Sequence, residues 1–208
     1  MSRYTEASCK ICRKKGQKLF LKGYKCRTNC VVDKANDKEG KRGARPKKIS
    51  DYAKHLREKQ VARLSFQIGE AQFRRFFSIA SKAKGKTGET LLRLLEMRLD
   101  NIVRRAGFCD SIKTARQIVS HGHVKVNGKA VNIPSYITKV EDEITLSPQI
   151  LEKVIVKQAI ENADKSSSRP SFISYNPENM SAKIVRLPER NEMSVAVNDQ
   201  LIVEYYSK

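Results

Sequence analysis

Three observations predict an α+β chain. Between residues 50 and 105, apolar side chains recur with helical spacing. Val124-Lys-Val, Asn127-Gly128 and Lys129-Ala-Val spell a tight β-hairpin. The first 50 residues carry four of the five cysteines but few apolar groups, so they cannot build a core by themselves. These give a cysteine-bearing N-terminal knuckle with a basic arm, a mostly helical region, and a small α/β unit of helices and hairpin.

From residue 33 to 48 the chain reads as an extended basic arm, broken by Gly40, Gly43 and Pro46. Ser50 is placed to cap a helix running to about residue 68, with Tyr52, Leu56, Val61, Leu64 and Ile68 roughly on one face. Gly69 ends it. A second helix, about 70–83, turns Phe73, Phe76, Phe77 and Ala80 inward. Thr87 caps a third, about 89–105, whose broad apolar face, Leu91 to Val103, calls for burial on more than one side. Asp110 or Ser111 starts a fourth, with Ile112, Ala115, Ile118 and Val119 facing the core and Gly122 ending it. Strands are expected at 137–140 and 143–146, and a helix from Ser147-Pro148 to about 162. Residues 165–170 form a Ser-rich linker. Two more strands, 183–187 and 200–206, are expected in a C-terminal segment too small to fold alone.

Charge narrows the function. With 42 Lys and Arg against 22 Asp and Glu in 208 residues, the net charge is +20. A polyanionic partner follows, nucleic acid first. No apolar run approaches the roughly 18 residues that span a bilayer, and the N-terminus lacks a secretory core. A cytoplasmic protein without membrane association is expected.

Cys9-x2-Cys12 and Cys26-x3-Cys30 have the spacing of a four-thiolate tetrahedral zinc site. Each pair supplies two soft ligands from one turn, and nearby Lys and Arg favour the thiolates. A closed shell leaves no place for a water nucleophile, so one structural zinc is expected. Two disulfides, free thiols or an iron–sulfur cluster are the alternatives. Cys109 stands apart and reads as a small buried residue.

Arg98, Lys113, Arg116, Gln117, His121, His123, Lys125, Asn127 and Lys129 come from adjacent elements and are expected to converge on one basic, RNA-binding face. Arg offers a planar fork to phosphate and Lys a point charge. Arg45, Lys47 and Lys48 of the arm add a second basic region, and Arg104 and Arg105 are possible additions. Simpler readings exist for single residues. A basic helix face can be merely solvated, Asn127 can serve the turn, and His121 can serve the helix dipole. The charge balance and the second basic region favour RNA. No nucleophile–base set, Walker loop, GxGxxG or HExxH is present, Glu96 and Asp100 are a weak acid/base pair, and an enzyme is not expected.

On the cysteine knuckle, Ser50-Asp-Tyr-Ala, Leu56-Arg-Glu-Lys-Gln, Leu95-Glu-Met-Arg-Leu-Asp-Asn, Ala115-Arg-Gln, His121-Gly-His-Val-Lys-Val-Asn-Gly, Ile133-Pro-Ser-Tyr and Val203-Glu-Tyr-Tyr, the chain resembles the bacterial S-four family of small-subunit ribosomal proteins along nearly its whole length. The resemblance implies a knuckle and arm over 1–45, a helical domain over 46–94 completed by 171–208, and an inserted S-four RNA-binding domain over 95–170. It implies a structural constituent of the small subunit, resident there in the cytoplasm. Such a constituent binds 16S-type ribosomal RNA, nucleates assembly, and contributes to translational accuracy and to the path of incoming messenger. Small-subunit protein number five is the implied neighbour, and the protein's own operon messenger a further RNA partner. The arm 36–48 lacks the family's usual sequence, so its contacts do not carry over residue by residue. A free RNA-binding regulator or RNA chaperone is the alternative. An RNA-modifying enzyme would need a catalytic domain for which the chain has no room.

Overall fold

A computed structural model of the chain describes residues 6–34 and 50–207. Arg45, Lys47 and Lys48, with most of the basic arm, lie outside the described residues. The remainder divides into two compact units, one from 1–91 with 195–208, the other from 92–194.

The first unit is helical. Helices α1 (Ser8–Lys15) and α2 (Tyr24–Thr28) carry the cysteine segment. Helix α3 (Asp51–Ser65) starts as expected, with the Ser50 hydroxyl accepting from the Ala53 amide at 3.3 Å. Helix α4 (Glu70–Lys82) buries Phe73, Phe76 and Ala80. Residues 200–206 are not a strand. They form helix α10 (Asp199–Ser207), which packs on α3 and α4. His55 bonds the Asp51 carbonyl at 2.6 Å and Glu204 at 2.7 Å. Tyr206 donates to Glu70 at 3.1 Å, and its ring lies 4.4 Å from that of Phe77. The strand reading of 200–206 is overruled because these aromatic and acidic groups find partners on a helical surface, not on a sheet edge.

The expected helix over 89–105 is two helices, α5 (Thr87–Glu96) and α6 (Leu99–Arg105), split at Met97 and Arg98. Arg98 is extended (φ −69, ψ 139) and forms a bridge to Ile137. The backbone at the break is tied to residues 134–138. Leu99 and Asp100 amides donate to the Tyr136 and Pro134 carbonyls at 2.8 and 3.2 Å, and Thr138 donates to the Met97 carbonyl at 2.9 Å. This is why 137–140 makes a single bridge and not a strand.

Helix α7 (Ile112–Ser120) leads through His121 and Gly122 into β1 (Val124–Val126) and β2 (Lys129–Ala130). The hairpin turn is left-handed at both central residues, Asn127 (φ 49) and Gly128 (φ 78), as a type I′ turn requires. Strand β3 (Glu143–Leu146) precedes α8 (Pro148–Leu151) and α9 (Val154–Ser166). Lys153 is extended (φ −67, ψ 132), so the helix expected over 147–162 is interrupted there. Strands β4 (Ile173–Asn176) and β5 (Ser181–Ile184) follow.

The antiparallel sheet runs β2-β1-β3-β5-β4. This moves the domain boundary expected at 170. β5 pairs with β3 (Glu143 with Lys183, Ile144 with Ala182, Thr145 with Ser181) and so belongs to the second unit, which extends to 194. Burying Ala182 and Ile184 in one core with Val124, Val126, Ile144, Ile118 and Phe108 decides this. Cys109 is 2% exposed in that core, as expected.

After β5, Arg186 bonds Glu192 at 2.7 and 2.8 Å, and the Ser171 hydroxyl reaches Glu192 at 2.5 Å. Partial burial opposes the Glu192 charge, but these hydrogen bonds outweigh it and take the carboxyl down to about 2. A depressed carboxyl stabilises the fold above its unfolded value and loses that contribution as pH falls through the folded one. Glu192→Gln is therefore expected to flatten the acid limb of the stability curve between the ordinary carboxyl value of 4.5 and about 2, read by urea denaturation across that window. An unchanged limb would show that another group carries it.

Candidate nucleic-acid interface

Helix α7 is fixed from both ends. The Ser111 hydroxyl accepts from the Thr114 amide at 3.1 Å. At the other end His121, Gly122 and His123 amides return to the Gln117, Val119 and Ile118 carbonyls at 3.0, 2.9 and 3.2 Å, with Gly122 left-handed (φ 75). Ile112, Ala115, Ile118 and Val119 are buried, which turns Gln117 outward and leaves Lys113 half-buried. The His121 and His123 rings lie 6.3 Å apart where the helix meets β1, and His123 Nδ1 is 3.2 Å from the Ser147 hydroxyl.

The hairpin presents Lys125 and Lys129 to solvent. Lys125 pairs with Thr145 and stands on the face opposite Val124 and Val126, whose side chains pack in the core with Ala115, Ile118 and Val119 of α7. The expected single face is therefore two adjoining ones. Lys113 and Gln117 belong to the helix surface and Lys125 to the outer sheet face, with His121 and His123 at the junction.

Arg98 is a correction. It is 2% exposed, and its Nε and Nη2 donate to the two oxygens of Asp100 at 3.1 and 2.9 Å. Arg116 Nε and Nη2 bond Asp100 Oδ2 from α7 at 3.0 and 2.7 Å. With Asp100 0% exposed, this triad is a buried clasp joining the first turn of α6 to α7, and not an RNA-facing fork. The sequence held the signal. Residues i and i+2 do not face one another on a helix, so an Arg98–Asp100 pair requires a helix break between them. Arg116 keeps a 17% exposed side chain at the edge of the surface.

Asn127 is likewise committed. Its amide donates to Asp142 at 2.8 Å and accepts from the Glu143 amide at 2.9 Å, tying the turn to β3. Arg104 donates to Asn101 at 2.9 Å, and burial lowers the pKa of its guanidinium. Arg105 pairs with buried Glu96 at 3.1 Å, and the Ser194 hydroxyl reaches the same carboxylate at 2.8 Å. Glu96 and Asp100 are thus both neutralised by arginines, as suits structure and not proton transfer.

Four of the five cysteines lie in the first unit. Cys12 and Cys26 are buried, Cys9 and Cys30 half-buried, and all four are free. The Cys12 thiol is pushed up mainly by burial, with Cys26, Cys9 and Cys30 adding to the shift. The Lys22 amide donates to Cys26 Sγ at 3.3 Å. Among the described residues no three His, Cys, Asp or Glu side chains stand in metal-holding spacing.

Residues 3–96 match the family model described as ribosomal protein S4/S9 N-terminal domain, and residues 97–144 match the S4 domain. The chain is 47% identical to small ribosomal subunit protein uS4 of Acetivibrio thermocellus, with all of both chains covered. It is 48% identical to that of Clostridium tetani and 46% to that of Endomicrobium trichonymphae, again over 100% of each. The chain belongs to the uS4 family. The S4 domain match covers α6, α7, the hairpin and the start of β3, so the uS4-family RNA-binding module coincides with the surface built above. The family is a structural, non-enzymatic one. No helix of the described residues is long and apolar enough to cross a membrane.

Proposed function

We infer that this chain is a structural constituent of the small ribosomal subunit that binds its ribosomal RNA directly. Identity of 46–48% over the full length of small ribosomal subunit proteins carries the inference. The basic helix and hairpin surfaces supply the physical means. Affinity is mostly electrostatic, because each phosphate neutralised releases counterions. Rigidly mounted cations read the shape of a folded RNA more than its sequence. Lys113, Gln117, His121, His123, Lys125 and Lys129 are the contacts, while Arg98, Arg116 and Asn127 hold them in place.

Sucrose-gradient sedimentation of a lysate at moderate and high salt tests the residence. Co-migration with the small subunit is expected, and recovery mainly in the ribosome-free fractions would favour a free regulator. Lys125→Glu with Lys129→Glu is expected to weaken binding to the five-prime region of small-subunit RNA by about tenfold or more, without unfolding, since both side chains are exposed. Filter binding reads this, and full retained affinity would remove the hairpin from the interface.

The family resemblance extends the reading. It supports a role in nucleating subunit assembly, in accuracy, beside incoming messenger, next to small-subunit protein number five, and in binding the protein's own operon messenger. It also supports one structural zinc on Cys9, Cys12, Cys26 and Cys30. The donor set suits that ion, with four free thiols on two short helices and their flanks, two of them buried and one accepting a backbone N–H. Bound zinc would hold α1 to α2 and supply folding free energy to a segment with little core. Metal quantification on the purified chain is expected to give about one zinc, dropping sharply in Cys26→Ser with Cys30→Ser. A zinc-free, folded wild-type chain would remove the metal from this reading.

A further inference from the structure

The Asn127-Gly128 turn carries chemistry that its structural role does not use. Asparagine followed by glycine is a pair prone to lose the side-chain amide, because glycine has no Cβ to hinder attack by its own backbone nitrogen on the neighbouring Cγ. Both residues are exposed, and a Cβ at Gly128 would meet nothing within 4 Å. Water therefore has free access to the turn.

Against this stands a set of hydrogen bonds that holds Asn127 still. The Glu143 amide donates to Asn127 Oδ1 at 2.9 Å, and since an N–H can only donate, it fixes which end of the side chain is oxygen. Nδ2 then donates to Asp142 Oδ1 at 2.8 Å. Asp142 is 7% exposed, and its other oxygen accepts from the Lys139 amide at 2.7 Å, so this carboxylate cannot follow a moving Asn127. The Asn127 amide itself donates to the Glu143 carbonyl at 2.9 Å. Cyclisation turns the side-chain amide toward the Gly128 nitrogen, and neither side-chain bond survives that rotation.

We propose that Asn127-Gly128 is a site of spontaneous deamidation gated by Asp142. The Gly128 nitrogen bonds to Asn127 Cγ, the Cγ–Nδ2 bond breaks, and the nitrogen's proton leaves with Nδ2 as ammonia. Water then opens the cyclic imide to aspartate or isoaspartate, and nothing is oxidised or reduced. Either product sets a second carboxylate against Asp142, where like charges oppose one another. Isoaspartate also adds a carbon to the backbone of a two-residue turn that holds Val126 opposite Lys129. The modification thus reaches the placing of Lys125 and Lys129, but its chemistry does not depend on what those lysines bind.

The test incubates the full chain at mildly alkaline pH, folded and in urea. Peptide mass mapping and isoaspartyl-specific methyl transfer read Asn127 over time. The folded wild type is expected to convert about a hundredfold more slowly than the unfolded chain, the worth of one charge-assisted and one neutral hydrogen bond. Folded Asp142→Ala, checked by circular dichroism, is expected to convert about tenfold faster than folded wild type. Asp142→Asn keeps the shape but offers one oxygen to two donors. It is expected to speed conversion by a smaller factor, and it serves where the alanine variant does not fold. Equal rates in folded and unfolded wild type would overturn the proposal. So would a folded Asp142 variant that keeps the wild-type rate.

Discussion

Asp100→Ala is expected to destabilise the 92–194 unit by about 3–5 kcal/mol, because it strands Arg98 and Arg116 around a site from which the carboxylate between them has gone. Asp100 accepts from both guanidiniums at 2.7–3.1 Å and is 0% exposed. For a unit of this size such a loss lowers the melting point by upwards of about 12 °C, read by thermal denaturation. The pair itself need not be a net gain over an apolar core. A triple variant, Arg98→Met, Asp100→Leu and Arg116→Met, is expected to recover most of the stability. A single Asp100→Ala costing under about 1 kcal/mol would show that solvent reaches the clasp after all. The same geometry changes what charge reversal of α7 means. Arg116→Glu would set a second carboxylate against Asp100 and test folding, not RNA binding.

Gly107→Ala is expected to cost about 2–5 kcal/mol, from two sources. Gly107 is left-handed (φ 89), where an L side chain is strained by about 1–2 kcal/mol. A Cβ there would also lie 2.5 Å from Ala163 Cβ and 3.2 Å from the Arg169 guanidinium, which caps the Ala106 carbonyl at 2.7 Å. Overpacking of that kind costs about 1–3 kcal/mol more. Gly122→Ala separates the two contributions. It is left-handed too (φ 75), with nothing within 4 Å of the added carbon. Urea denaturation of both variants is expected to show the Gly107 change costing clearly more. Equal losses would mean that α9 moves aside freely.

Much of this architecture was legible in the residues, and the failures share one cause. Helices α3, α4 and α7, the Ser caps of α3 and α7 and the Asn127-Gly128 hairpin are specified by neighbours in sequence, and the structure has them. What was misread depends on distant partners. The break at Met97 and Arg98 exists because residues 134–138 take its backbone hydrogen bonds. The helical state of 199–207 depends on His55, Glu70 and Phe77. The placing of β4 and β5 depends on the edge of β3. The interface divides in the same way. Exposed Lys125 and Lys129 were readable from alternation, whereas Arg98 looked like a surface cation until the partner that buries it was known.

The order in which the chain crosses its own units sets a timetable for synthesis. Residues 92–194 are contiguous, so that unit has every strand and helix it needs as soon as residue 194 is free. The first unit is made earlier but stays open. His55, Lys59, Glu70 and Phe77 must wait through the making of more than half the chain before Glu204, Tyr205 and Tyr206 arrive to meet them. Such long-range closure is slow, and it leaves the α3–α4 surface uncovered meanwhile. The unit born first is therefore the one finished last.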